Sequence, residues 1–135
     1  MRFYVLLILL AFSISTFAQF PDTGMCTKRP IVAISATIKG FGYSKIVYTG
    51  KDSIRNGFNL VLSDPSYQIV GFRVYFFGKG MDLYWKDISG SIATEVNLPV
   101  LNNLYGDEWM EIECITVMNN KKLFTALPFK IWINP

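Results

Sequence analysis

The sequence predicts an all-β fold, a sandwich of about seven short strands, and three observations carry that prediction. The stretch 67–78, Tyr-Gln-Ile-Val-Gly-Phe-Arg-Val-Tyr-Phe-Phe-Gly, alternates strongly: Val70, Phe72, Val74 and Phe76 project to one side of an extended chain. Shorter alternating runs recur before and after it, at turn spacings near those of sandwiches. No stretch carries long helical periodicity, and a chain that is 51% apolar and 16% aromatic suits a β-rich core and not disorder.

The opposite side of the central stretch, Ile69, Gly71, Arg73, Tyr75 and Phe77, is mixed. That places it in the middle of a sheet, with rings over a surface that is not wholly dry. Asp64-Pro65-Ser66 before it and Gly78-Lys79-Gly80 after it supply turn chemistry.

The chain opens with Met1-Arg2, an apolar run from Phe3, and small residues at Thr16 and Ala18. One positive charge, a short greasy core and small residues two apart are the parts of a secretory signal peptide over 1–18, cut before Gln19. The run is short for a bilayer span of about 20 residues, which argues against an anchor kept in the membrane. Cys26 is poorly placed for lipidation, because Met25 stands where a small residue is wanted. The remaining chain suffices for one domain with a single core. Its parts are an irregular arm over 19–30, with Pro21, Gly24 and Pro30, and a β-sandwich domain over 31–135.

Along that domain, 31–38 alternates, with Val32, Ile34, Ala36 and Ile38 facing one way, and predicts the first strand. Residues 45–48 predict a short edge strand. The polar stretch 49–57 ends in Asn56-Gly57, a hairpin-type dipeptide. Phe58, Leu60 and Leu62 predict a strand feeding the central one, and 81–88 an extended segment with Leu83 and Trp85 opposite Tyr84 and Lys86. Residues 92–98 form a weaker strand, and Val100, Leu101 and Leu104 allow one helical turn. Met110, Ile112, Cys114 and Thr116 then share a face, with Glu111 and Glu113 opposite and Ile115 and Val117 following on that opposite side. After a hairpin tip at 119–122, residues 123–133 return as the last strand, with Phe129, Ile131 and Ile133 inward.

The formal charge of +3 is spread thinly, with no basic cluster larger than Lys121-Lys122, so nothing marks a nucleic-acid footprint. The chain has no histidine, which removes Ser-His-Asp and Cys-His nucleophile systems and the commonest transition-metal ligand. Two cysteines alone cannot close a structural zinc site, and no cofactor is expected. Enzyme readings fall back on Asp107, Glu108, Glu111 and Glu113. The glutamates Glu111 and Glu113, roughly 6–7 Å apart along a strand, have the spacing for glycoside hydrolysis or calcium. A solvated outer strand face explains them better, because acid–base work needs a desolvated carboxylate and nothing nearby supplies that. Tyr84, Trp85, Tyr105 and Trp109 lie near turns and can stack on sugars or a partner; core or rim packing is the competing reading. Arg73 is expected to pair with an acid across the sheet. Cys26 and Cys114 enter an oxidising compartment if exported, so either a disulfide closing a long loop or two separate thiols fits.

Tyr67-Gln-Ile-Val-Gly-Phe-Arg-Val, Gly90 before Ile-Ala-Thr-Glu, Tyr105-Gly106-Asp107, Ile112-Glu113-Cys114-Ile115 and Leu127-Pro128-Phe129-Lys130-Ile131 together resemble the carboxy-terminal domain of the GldM gliding-motility and type IX secretion family. The resemblance spans roughly 31–133 and is densest over 67–131. Its motifs are strand and turn residues. It implies an immunoglobulin-like β-sandwich in the periplasm of the Bacteroidetes group, without catalytic residues, that works by contact with other parts of a secretion apparatus. The chain lacks that family's transmembrane helix and additional domains, so the resemblance implies a stand-alone, exported copy. The function expected is a non-enzymatic interaction module, periplasmic or secreted, whose partners are secretion-apparatus components or a second copy of itself. The alternative is a secreted carbohydrate- or ligand-binding sandwich using Trp85, Tyr84, Trp109 and Tyr105.

Overall fold

The computed structural model describes residues 26–78 and 83–135. The expected signal peptide and its cleavage point, the first part of the arm and the turn residues Lys79 and Gly80 lie outside the described residues. Two sheets pack as a sandwich, an all-β architecture consistent with an immunoglobulin-like fold. The smaller has the order β1 (Ala36–Ile38), β3 (Phe58–Leu62), β6 (Ile92–Ala93). The larger has the order β2 (Ile46–Gly50), β9 (Phe129–Asn134), β7 (Glu108–Asn119), β4 (Gln68–Phe77), β5 (Tyr84–Ser89), and β8 (Lys122–Thr125) pairs with the far end of β7. No helix among the described residues is long and apolar enough to cross a membrane.

β4 and β7 are the antiparallel centre of the large sheet. Strand alternation turns Phe72, Val74 and Phe76 of β4 and Met110 and Ile112 of β7 into the core, where all five are fully buried. Each such side chain contributes about 1.5–3 kcal/mol of burial. Ile131 and Ile133 of β9 continue this face, and Phe58 and Leu60 of the small sheet close over it.

The expected alternation breaks at two places, and both are β-bulges. Between the pairs Ile69↔Val117 and Gly71↔Thr116, β4 carries one extra residue, Val70. Val70 was expected to face inward with Phe72; it is 39% exposed and Ile69 takes the core position. Between Gly71↔Thr116 and Arg73↔Glu113 the extra residue is on β7, where Cys114 has φ +51. A left-handed residue at a bulge reverses which neighbours face inward. Ile115 and Val117, expected on the outer side, are therefore buried, and Cys114 leaves the face of Met110 and Ile112. Cys114 is joined to Cys26, with Cα atoms 5.0 Å apart across 88 residues of sequence. Arg29 adds a second tie from the arm, its Nη1 donating to Thr116 Oγ1 at 3.3 Å.

The predicted first strand, 31–38, divides between the sheets. Ile31 bridges Thr125 in parallel, Val32 N–H donates to the Thr125 carbonyl (2.9 Å) and Leu127 N–H to the Ile34 carbonyl (2.9 Å). Only β1 joins the small sheet, pairing antiparallel with β3. Residues 39–45 then fold back over it: Thr37 Oγ1 donates to the Gly42 carbonyl (3.0 Å), so Thr37, expected outward, is fully buried. The return strand is likewise two strands, β8 on the far end of β7 and β9 on its near end. Between them lies Pro128, which has no N–H to give a ladder.

Two turn regions also differ from expectation. Asn56-Gly57 closes no hairpin, because β2 and β3 lie in different sheets; a short helix α1 (Lys51–Ile54) makes the crossing. Gly57 is needed there, since φ is +119 and a Cβ would collide with the Ala93 carbonyl. The weak strand 92–98 is only β6, after which Thr94 and Asn97 exchange hydrogen bonds that curl the chain into a turn. The single helical turn is present as a 3-10 segment, Pro99–Asn103, with Leu101 buried.

Candidate interaction surface

The outer face of the large sheet carries a row of four rings on four neighbouring strands. Phe77 of β4 opposes Trp109 of β7, which opposes Trp132 of β9, which opposes Tyr48 of β2. Phe77 and Trp109 are parallel with centroids 5.2 Å apart, and Trp109 and Trp132 are parallel at 5.8 Å. These separations are near the distance between neighbouring strands, so the rings stand in file and cover one another's faces. Trp109, between the other two, has a ring stacked on each side. Tyr48, at the sheet edge, is 62% exposed. A cleft of about 420 Å³ lies here, lined by Ile46, Tyr48, Trp109, Lys130 and Trp132.

The next row is charged and aromatic. Trp85 of β5 opposes Tyr75 of β4, then come Glu111 of β7 and Lys130 of β9. Arg73, one row further, grips Asp87 with two bonds, Nε to Oδ1 at 2.7 Å and Nη2 to Oδ2 at 3.1 Å. Its guanidinium also lies 4.3 Å from the centre of the half-exposed Trp85 ring. The bonds to Asp87, then that to the Tyr75 hydroxyl, raise the Arg73 pKa further above its ordinary value. The expected cross-sheet partner of Arg73 is thus Asp87, and Trp85 is held as part of the same cluster.

Glu111 and Glu113 do project from one face of β7, as the alternation predicts. Lys130 Nζ is 3.3 Å from Glu111 Oε1. The expectation that nothing desolvates these carboxylates does not hold for Glu113: burial, and then the neighbouring Glu111 charge, push its carboxyl above its usual range. Both line an open groove of about 630 Å³ with Tyr43, Lys45, Leu127 and Pro128. The groove fills the gap at the sheet edge where the chain leaves after Ile34 and returns at β2.

The other two acids of the predicted carboxylate set are elsewhere. Glu108 is buried on the inner side, and its Oε1 accepts the N–H groups of Tyr105 (2.6 Å) and Gly106 (2.7 Å), which closes the loop before β7. Asp107 stands in that loop at φ +63 and gives its N–H to the Ile133 carbonyl. Among the described residues no group of three or more acids or cysteines is placed to hold a metal ion.

The four predicted contact aromatics are not brought together. Trp85 and Trp109 share the outer face; Tyr84, next to Trp85, turns inward and packs against the core. Tyr105 is exposed, at 77%, in the loop beyond the end of the sheet. Sequence reasoning placed Tyr75 and Phe77 on the mixed outer side of the central strand without naming them as contact residues, and it missed Tyr48 and Trp132 as parts of the surface. The alternation around Trp132, flanked by inward Ile131 and Ile133, marks it as outward; which residues stand beside it depends on strand register.

The chain matches no model of a known protein family, and comparison with characterised proteins gives no significant match.

Proposed function

We propose that the chain is an exported, non-enzymatic β-sandwich that recognises another protein through the outer face of its six-stranded sheet, as a relative of the GldM carboxy-terminal domain would. The observation that carries this reading is the ring row from Phe77 through Trp109 and Trp132 to the exposed Tyr48. Aromatic and arginine side chains on a half-dry surface are the residues on which protein interfaces depend most. The Cys26–Cys114 disulfide favours an oxidising compartment, hence a periplasmic or secreted setting.

Two features weigh against the alternatives. A sugar stacks on a flat exposed ring face, whereas Trp109 lies between Phe77 and Trp132 and the Trp85 ring carries the Arg73 guanidinium on one face. Hydrolysis needs two opposed carboxylates across a bond; Glu108 is tied to backbone and Asp107 sits in a loop away from Glu111 and Glu113. The test is affinity capture from the envelope fraction of the producing cells, using the purified protein and a Tyr48→Ser/Trp85→Ser variant, with a glycan array run in parallel. A polypeptide retained by the parent and lost from the variant is expected. Retention of the same set by both, or glycan binding with no retained protein, overturns the reading.

A further inference from the structure

β2 is an edge strand whose only partner among the described residues is β9, in parallel. Lys130 N–H donates to the Lys45 carbonyl at 2.9 Å, which sets the phase of that ladder. In a parallel pair alternate residues address the neighbour, so Val47 and Thr49 bond toward β9 while Tyr48 turns its N–H and C=O to the open side. Ile46 N–H is turned back on Ser44 Oγ (3.4 Å), which leaves, among the described residues, the Tyr48 pair, the Ile46 carbonyl and the Gly50 N–H toward the open side. Ile46 and Tyr48 also project their side chains onto the outer face, where they end the ring row.

A lysine stands at each end of this edge, one beside the groove that Glu111 and Glu113 also line and one beside Asp52, which is paired with Arg55. Lys45 precedes β2 and Lys51 follows it, and the ion pairs of the described residues, Arg55–Asp52, Arg73–Asp87 and Lys130–Glu111, use neither. A second copy of β2 laid parallel along this edge would set Lys45 against Lys45, and one laid antiparallel about Tyr48 would bring Lys45 to the end where α1 opens with Lys51. Like charges at such positions disfavour edge pairing. An acidic strand meets the reverse situation.

We infer that the open edge of β2 receives an extended acidic segment of another protein, paired to the Tyr48 backbone, with an aromatic side chain beside Tyr48 and carboxylates toward Lys45 and Lys51. The inference rests on the proposed interaction function and names its partner class. Main-chain pairing supplies the affinity in such strand addition, and the flanking charges and alternate side chains supply the selection.

The test uses the purified protein and a synthetic peptide, Glu-Asp-Val-Tyr-Val-Asp-Glu, capped at both ends. It is compared with a peptide bearing Lys at the four acidic positions and with one N-methylated at alternate backbone nitrogens. Calorimetry and amide chemical shifts are the readouts. The expected result is binding of the acidic peptide alone, shifts centred on Ile46 and Tyr48, and a loss of about tenfold or more in a Lys45→Glu/Lys51→Glu variant. Failure of the acidic peptide to bind, equal binding of the basic or N-methylated peptide, or an unaffected charge variant overturns the inference. Shifts confined to Arg73, Tyr75 and Trp85 overturn the edge assignment and leave the outer-face reading standing, whereas its own failure is read in the capture experiment.

Discussion

The two faces of the six-stranded sheet are made by the same strands and differ in almost every other respect. Inward, Phe72, Val74, Phe76, Met110, Ile112, Ile131 and Ile133 are sealed beneath the small sheet. Outward, one residue along each strand, stand Arg73, Tyr75, Phe77, Trp109, Glu111, Lys130 and Trp132, half-buried by each other or exposed, with no layer of described residues above them. The inner face is held by exclusion of water, which is indifferent to direction. The outer face is ordered by directional contacts: ring on ring, guanidinium on carboxylate, ammonium on carboxylate. A solvent-facing surface organised to that degree is suited to being touched.

The sharpest way to break this contrast is to truncate adjacent positions on opposite faces. Phe72→Ala empties a fully buried site and is expected to lower unfolding stability by about 3–5 kcal/mol, read by denaturant melts. If the cost falls under about 1 kcal/mol, the inner face is not the core described. Next in size, Cys26→Ser removes the cross-link that holds the arm to the bulge in β7, with an expected loss of about 2–4 kcal/mol in the same assay and none once the parent is reduced.

On the outer face the effects are smaller. Trp109→Ala takes the middle ring from the row and exposes the flanking faces of Phe77 and Trp132; about 1–2 kcal/mol is expected, with a change in near-ultraviolet circular dichroism. A loss equal to that of Phe72→Ala would mean the outer face is core in disguise. Arg73→Ala breaks a partly exposed pair with Asp87 and the contact with Trp85, and about 1 kcal/mol is expected, with increased quenching of Trp85 by iodide.

The smallest effect is a pH dependence. The Glu113 carboxyl is raised in the folded protein, so the folded state holds that proton more tightly than the unfolded chain. Its contribution is therefore present below the ordinary carboxylate range and lost as pH rises through the folded value. Glu113→Gln should flatten this part of the melting temperature profile from acid to neutral pH and raise stability relative to the parent at neutral pH. A profile unchanged by the substitution would show that Glu113 does not titrate abnormally.

Much of the large sheet was legible in the residues because strand alternation has a period of two and one face is buried. The inward residues of β9 and the Phe72–Phe76 half of β4 follow from that alone. The bulges at Val70 and Cys114 were harder to read: Gly71 inside an apolar run is a bulge signal that does not say which neighbours invert, and nothing in Glu-Cys-Ile marks the second. The same holds for the split of 31–38 between sheets, where the pattern persists while the hydrogen-bonding partner changes.

By itself the amino-acid order determined that this chain builds a β-sandwich, lacks imidazole chemistry, and leaves aromatic and charged residues on the outward side of its principal strands. Folding in three dimensions decided which of those residues stand together. Trp132 meets Trp109, Arg73 meets Asp87 and Cys114 meets Cys26 only because strand order, register and bulges bring distant segments side by side. Alternation is a local property of the backbone, whereas register is set by the sum of long-range contacts across the sheet.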